Sequence, residues 1–171
     1  MHERTGLITF KGKPVTLVSN IITVGKKSPN FVVTANDMSP VELSSLRGKI
    51  VVISSVPSLD TPVCDTETRR FNQEAGKLGS DIVVLTISMD LPFAQKRWCA
   101  ANGIDHVRTV SDYSDASFGT SYGVLIKELR LLARAVFIVD RDGVIRYIQL
   151  VKEVSQEPDY DAILNALKKL S

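Results

Sequence analysis

Two runs of β-branched residues, Ile50-Val51-Val52-Ile53-Ser54-Ser55-Val56 and Ile82-Val83-Val84-Leu85-Thr86-Ile87-Ser88, constrain this chain more than anything else in it. Both are apolar on either face, as strands buried inside an α/β sheet must be. Between them, residues 62–78 place Phe71, Ala75 and Leu78 at helical spacing. Strand, helix and strand in this order close as a right-handed crossover, which sets the two strands side by side and parallel.

The remaining elements extend that unit. Residues 92–102 read as a second helix, starting after Asp90 and stopping at Gly103. Residues 107–110 read as a short strand and 116–122 as a short helix. Residues 135–139 and 144–148 flank Asp140-Arg141-Asp142-Gly143, whose Asp-Gly marks a hairpin, and residues 159–170 form a closing amphipathic helix. Upstream, residues 7–18 alternate around Lys11-Gly12-Lys13-Pro14, which predicts an N-terminal hairpin within residues 1–20. A breaker segment at 25–29, with Lys26-Lys27 as a solvated loop, precedes a short strand at 31–34 and one helical turn at 41–46. From residue 50 the order is strand, helix, strand, helix, connection, hairpin, helix. That is the order of a thioredoxin-like α/β fold, a mixed sheet with helices on both faces, with the hairpin and residues 103–130 as additions. With 44% hydrophobic and 23% charged residues, positions 1–171 read as a single domain.

Twenty-one basic against nineteen acidic side chains leave a formal charge of +2, too balanced for nucleic acid or an anionic membrane to be the main partner. No apolar run reaches the roughly 18 residues of a membrane span, and Met1-His2-Glu3-Arg4 leads into no signal-peptide core, so the expected location is the cytoplasm. In that reducing compartment a disulfide between the two cysteines, Cys64 and Cys99, is expected to be transient and functional.

The turn Pro57-Ser58-Leu59-Asp60-Thr61-Pro62-Val63-Cys64 lies where the first buried strand hands over to its helix, the sheet edge at which α/β proteins place ligands. Thr61 before Pro62 is an N-cap and N1 pair, which puts Cys64 at N3. A thiolate there gains about 0.3–1 kcal/mol from the helix terminus, ~2 kcal/mol when partly buried. A free thiol is only about 3% ionised at pH 7, so the helix alone does not make a fast nucleophile. Asp60, Asp65 and Glu67 work against it, and a cation is required. Arg69 and Arg70 are local candidates; Arg134, just before the hairpin strand, is one that folding could deliver.

By position alone Cys99, mid-helix in Arg97-Trp98-Cys99-Ala100-Ala101, reads as inert. As a pair the cysteines say more. They lie 35 positions apart on separate helices, neither a Cys-x-x-Cys motif nor zinc spacing. A nucleophile with one distant partner suits a cycle in which Cys64 is oxidised to a sulfenic acid and Cys99 resolves it to a disulfide, after the first turn around Cys64 unwinds. His2 and His106 have no second ligand at useful spacing, so neither metal nor other cofactor is expected, and a Cys-His hydrolase through His106 is a minor alternative. A thiol–disulfide oxidoreductase and a non-catalytic peroxide sensor of the same fold stay open.

Pro57, Thr61 and Cys64 match the Pro-x-x-x-Thr-x-x-Cys signature of peroxiredoxins. The longer stretch through Arg70-Phe71-Asn72, the segment from Asp90 to Cys99, and Leu132-Ala133-Arg134-Ala135 resemble the atypical two-cysteine thiol peroxidase subfamily. The likeness spans nearly the whole chain. Trp98 departs from it, standing where a smaller aromatic is expected, which bears on the packing beside Cys99. The resemblance implies that Cys64 is the peroxidatic cysteine, Cys99 the resolving one and Arg134 the required cation, with Thr61 and Pro57 completing the site. It also implies hydrogen peroxide and organic hydroperoxides as substrates, reduction by thioredoxin, and a homodimer whose interface lies close to the site.

Overall fold

The two β-branched runs lie next to each other in the middle of a sheet, as burial on both faces demands. The computed structural model describes residues 2–19 and 21–171, so Met1 and Asn20 of the expected N-terminal hairpin segment lie outside the described residues. The chain begins with β1 (Glu3–Phe10), β2 (Lys13–Val18), β3 (Val32–Ala35), β4 (Pro40–Glu42), β5 (Ile50–Ser55) and α1 (Pro62–Ala75). It continues through β6 (Ile82–Ser88), α2 (Pro92–Asn102), β7 (Arg108–Ser111) and α3 (Ser117–Ser121). The last part holds β8 (Leu125–Ile126), β9 (Leu131–Leu132), β10 (Ala135–Val139), β11 (Ile145–Leu150) and α4 (Tyr160–Lys168).

Strands β5 and β6 pair in parallel from Ile50 opposite Ile82 to Ser55 opposite Ile87, and β7 runs parallel beside β6. The β10–β11 hairpin adds antiparallel strands on the far side of β5, and the seven-stranded sheet has the order β11-β10-β5-β6-β7-β3-β4. Alternation along the strands sorts the core into two halves. Ile50, Val52 and Val84 pack with Phe71 of α1 and with Ile163 and Leu167 of α4. Val51, Ile53, Leu85 and Ile87 point the other way, into a cluster that includes Phe31, Phe118, Tyr122 and Phe137. Thr109 of β7, the parallel neighbour of Thr86, shares the α1 face and meets Cys99 of α2 there. The three longer helices therefore share one face. The expected cover on the opposite face is present but different in kind: one short helix, α3, and a second, four-stranded sheet of order β1-β2-β8-β9.

Several expectations are adjusted. The first hairpin turns on Lys11 and Gly12 alone, both at positive φ (50° and 79°), and Pro14 lies within β2 opposite Thr9. Pro14 is tolerated because β8 pairs only with Leu17 and Val18, so its missing N–H breaks no second ladder. The single helical turn expected at 41–46 is the end of β4 followed by a 3₁₀ turn, Leu43–Leu46. Helix α1 stops at Ala75, and the chain tightens through Lys77 N–H to Glu74 and Leu78 N–H to Ala75. Strands β8 and β9 have no counterpart in the sequence reading, because two residues carry no alternation.

Phe118 is fully buried, stacked on Tyr122 with ring centroids 4.8 Å apart and edge-on to Phe137 at 6.1 Å. Phe118→Ala is expected to lower stability by about 3–5 kcal/mol in urea denaturation. A loss below about 1 kcal/mol would show that the two sheets do not share this cluster as their core.

Candidate active site

The chain leaves β5 through Val56, whose N–H still bonds the Ile87 carbonyl at 3.0 Å, and turns at buried Pro57. Thr61 takes the N-cap position of α1 with extended dihedrals (φ −102°, ψ 147°), and Pro62 opens the helix. As expected, Cys64 is then at N3. The expected side-chain cap is not made: the Thr61 hydroxyl donates back to the Ser58 carbonyl at 2.9 Å, an acceptor that the tight turn places within its reach. The first helical bond runs from Asp65 N–H to the Thr61 carbonyl at 3.0 Å, which leaves the N–H groups of Val63 and Cys64 without helical partners. Cys64 has no solvent exposure and packs among Val56, Leu59 and the half-buried Trp98.

Arg134 brings its guanidinium to the sulfur. Its Nη2 donates to Cys64 Sγ at 3.3 Å, its Nη1 to Glu67 Oε2 at 2.5 Å and its Nε to the Val154 carbonyl at 2.9 Å. One planar fork thus serves three acceptors in a site where the Arg134 side chain is 2% exposed and Glu67 not at all. The backbone at Arg134 is pinned from two sides. Ser55 Oγ donates to the Ala133 carbonyl at 2.7 Å, and Val151 N–H donates to the Arg134 carbonyl at 3.0 Å. Arg69 is drawn to Asp65 and Asn102 instead, while Arg70 pairs with Glu74 at 3.2 Å and lies over the Tyr160 ring. Of the three candidates only Arg134 reaches the sulfur.

Glu67, expected with Asp60 and Asp65 as an acid working against a thiolate at Cys64, also anchors the arginine that reaches the sulfur. The signal was its spacing: three residues after Cys64 puts it on the same helix face. Ser54 Oγ donates to its other oxygen at 3.1 Å. Burial pushes its carboxyl up to about 7, against the pull of Arg134.

Cys99 has a different setting. Its Sγ lies 3.2 Å from Thr109 Oγ1, which in turn donates to Asn36 Oδ1 at 3.3 Å. Burial pushes this thiol up. It also lines an open cavity of about 370 Å³ with Asn36, Ile104 and Arg108. Both cysteines are free thiols. Trp98, expected to bear on the packing beside Cys99, also packs against the Cys64 cluster. His106 lies at the other end of α1, its ring against Gly76, about 18 Å along the helix axis from Cys64, which removes it as a partner for the thiol.

A cysteine bonded to an arginine, at the first turn after a central parallel strand, fits a thiol-based redox protein of the thioredoxin-like class. Residues 23–164 match the Redoxin family. The chain is 58% identical over 162 residues to a thiol peroxidase of Oceanobacillus iheyensis, covering 95% of this chain and 98% of that one. It is 54% identical over 163 residues to a thiol peroxidase of Bacillus subtilis, covering 95% and 97%. Among solved structures, a peroxiredoxin-like protein from Aquifex aeolicus superposes over 100% of both chains with a TM-score of 0.91 at 42% identity. A thiol peroxidase from Chromobacterium violaceum shares the fold, with a TM-score of 0.84 over 95% of each chain at 18% identity. The chain belongs to the redoxin family, among its thiol peroxidases.

The raised Glu67 carboxyl has a consequence for stability. A carboxyl that holds its proton more tightly folded than unfolded adds stability as pH falls from about 7 toward its ordinary value near 4.5. The stability difference between the protein and its Glu67→Gln variant is therefore expected to grow over that range and to be flat above about pH 8. Urea denaturation at a series of pH values measures it; a difference that stays constant from pH 8 to 5 would remove the assigned role of burial.

Proposed function

We propose that Cys64 is the peroxidatic thiolate and Cys99 the resolving thiol of this thiol peroxidase, with Arg134, Thr61 and Pro57 completing the site. The observation that carries this reading is the Arg134 guanidinium on Cys64 Sγ inside a site closed to solvent. The thiolate attacks the distal oxygen of hydrogen peroxide or an organic hydroperoxide. An S–O bond forms, the O–O bond breaks, and hydroxide or alkoxide leaves and takes up a proton. Negative charge passes from sulfur to the oxygens, and Arg134 with the free Cys64 N–H meets it as an oxyanion hole does. The Thr61 proton is committed to Ser58, so its oxygen offers lone pairs to the hydroperoxide O–H. Buried Pro57 limits water access to the sulfenic acid.

Cys99 then attacks the sulfenic sulfur. The S–S bond forms, the S–O bond breaks, and the departing hydroxide leaves as water with the proton from Cys99. An external dithiol reduces the disulfide by exchange. Thioredoxin is the reductant in this reading, and the cytoplasm the compartment. A homodimer is supported by Leu91 and Phe93, 53% and 65% exposed, beside Asp90, which bonds the active-site turn. Residues 1–171 act as one domain, because the two sheets share one aromatic-rich core. No helix among the described residues is long and apolar enough to cross a membrane.

Peptide mass measurement after one equivalent of peroxide is expected to find a Cys64–Cys99 bond within one chain. Cys64→Ser should abolish peroxide consumption, and Cys99→Ser should give one rapid turnover and then stall as a sulfenic acid or mixed disulfide. Arg134→Ala should slow the oxidation step by about 10²–10³, as loss of an oxyanion-hole donor does. Normal turnover by Cys64→Ser would sink the mechanism.

A further inference from the structure

Asp90 stands between the end of β6 and the start of α2, and its carboxylate collects three neutral donors. Ser58 Oγ donates to one oxygen at 2.7 Å, while Leu59 N–H at 2.8 Å and Ser88 Oγ at 2.7 Å donate to the other. Ser58 and Leu59 belong to the turn ahead of Cys64; Ser88 closes β6 and accepts from Gln95 of α2 at 2.9 Å. The Asp90 carbonyl in turn accepts from Ser111 of β7. Within residues 58–61 the other bonds stay inside the turn or run into α1, so among the described residues Asp90 is its one polar tie to the rest of the sheet. Leu59, buried at 2% exposure, packs on Cys64 beneath that tie.

We propose that Asp90 is a latch. It holds the turn closed over Cys64, and its release sets how fast Cys99 reaches the sulfenic acid. The inference rests on the roles given above to the two cysteines. A disulfide needs Cα atoms about 4.4–6.8 Å apart and aligned Cβ vectors, whereas Cys64 is sealed under the turn and Cys99 is bonded to Thr109. In this proposal the turn comes away before the two meet, and the polar bonds to the sheet that it gives up are those to Asp90. Asp90 touches no reacting atom, so its part is positioning. A closed latch keeps Arg134 on the Cys64 sulfur, and a hydroperoxide needs only a side-chain displacement to reach that sulfur, whereas Cys99 needs the turn itself to move. It also prolongs the life of the sulfenic acid and with it the chance of a second oxidation to the sulfinic acid.

Trp98 is the only tryptophan and packs against Val56, Leu59 and Cys64, so its fluorescence reports on the closed turn. After rapid mixing with hydrogen peroxide, a peroxide-dependent phase should be followed by a peroxide-independent one as the disulfide forms. Ser58→Ala and Asp90→Asn are expected to speed the second phase by about tenfold, the factor one charge-assisted hydrogen bond carries. Both should also lower the yield of sulfinic acid in excess peroxide, read by intact mass. Leu167→Ala, which loosens the core under α4, controls for general destabilisation and should leave the second phase unchanged. The latch is overturned if both turn variants leave that phase unchanged or slower, or if Leu167→Ala speeds it equally. If the unaltered protein forms no Cys64–Cys99 disulfide, the functional reading fails first and the latch with it.

Discussion

A guanidinium that is 2% exposed keeps its charge inside a protein only if that charge is answered, and at Arg134 the answer is Glu67. Dehydrating such a pair costs several kcal/mol per ion, which attraction offsets only with close geometry and every remaining donor engaged. Here the geometry comes from distant parts of the chain. Ser54 on β5 fixes one Glu67 oxygen, Val154 after β11 fixes the Arg134 Nε, and Ser55 holds the peptide just before Arg134. The sulfur is the third acceptor on the same fork. Central strand, first helix, hairpin and the segment after it all meet at this cluster, so the fold and the site are one arrangement of charges.

The two thiols are set up in opposite ways. Cys64 is bonded to a cation, at a helix terminus whose N–H groups are free, with apolar walls around it. Cys99 is bonded to a hydroxyl, in mid-helix, and burial favours its protonated form. A thiol held protonated is a poor nucleophile, which suits the resolving role proposed for Cys99.

Much of this was legible in the sequence because strong local patterns were also globally satisfied. The β5 and β6 runs had to be buried strands, and the Pro92 start and Gly103 stop of α2 fell where capping chemistry puts them, with Gly103 left-handed at φ 63°. Cys64 at N3 followed from Thr61 and Pro62. What escaped had no local signature. Strands β8 and β9 exist only because β2 offers an edge, and Thr61 chose the Ser58 carbonyl over capping because the turn brought that acceptor close. Glu67 reads from the sequence only as a negative charge, because sequence proximity gives the sign of a charge but not the identity of its partner. Trp98 looked like a neighbour of Cys99, and only helix packing shows that it also closes the Cys64 cluster.

Arg134 reaches Cys64 across 70 positions of chain, from the link between β9 and β10, and β10 takes its place by pairing with β5. A chain emerging in order from its N-terminus thus carries Cys64 for a long stretch of synthesis without the guanidinium that it meets in the fold. Until residues 134–139 are made and β10 has docked on β5, the cysteine has no guanidinium beside it. The cluster of cysteine, arginine and glutamate is in this way a property of the finished fold alone.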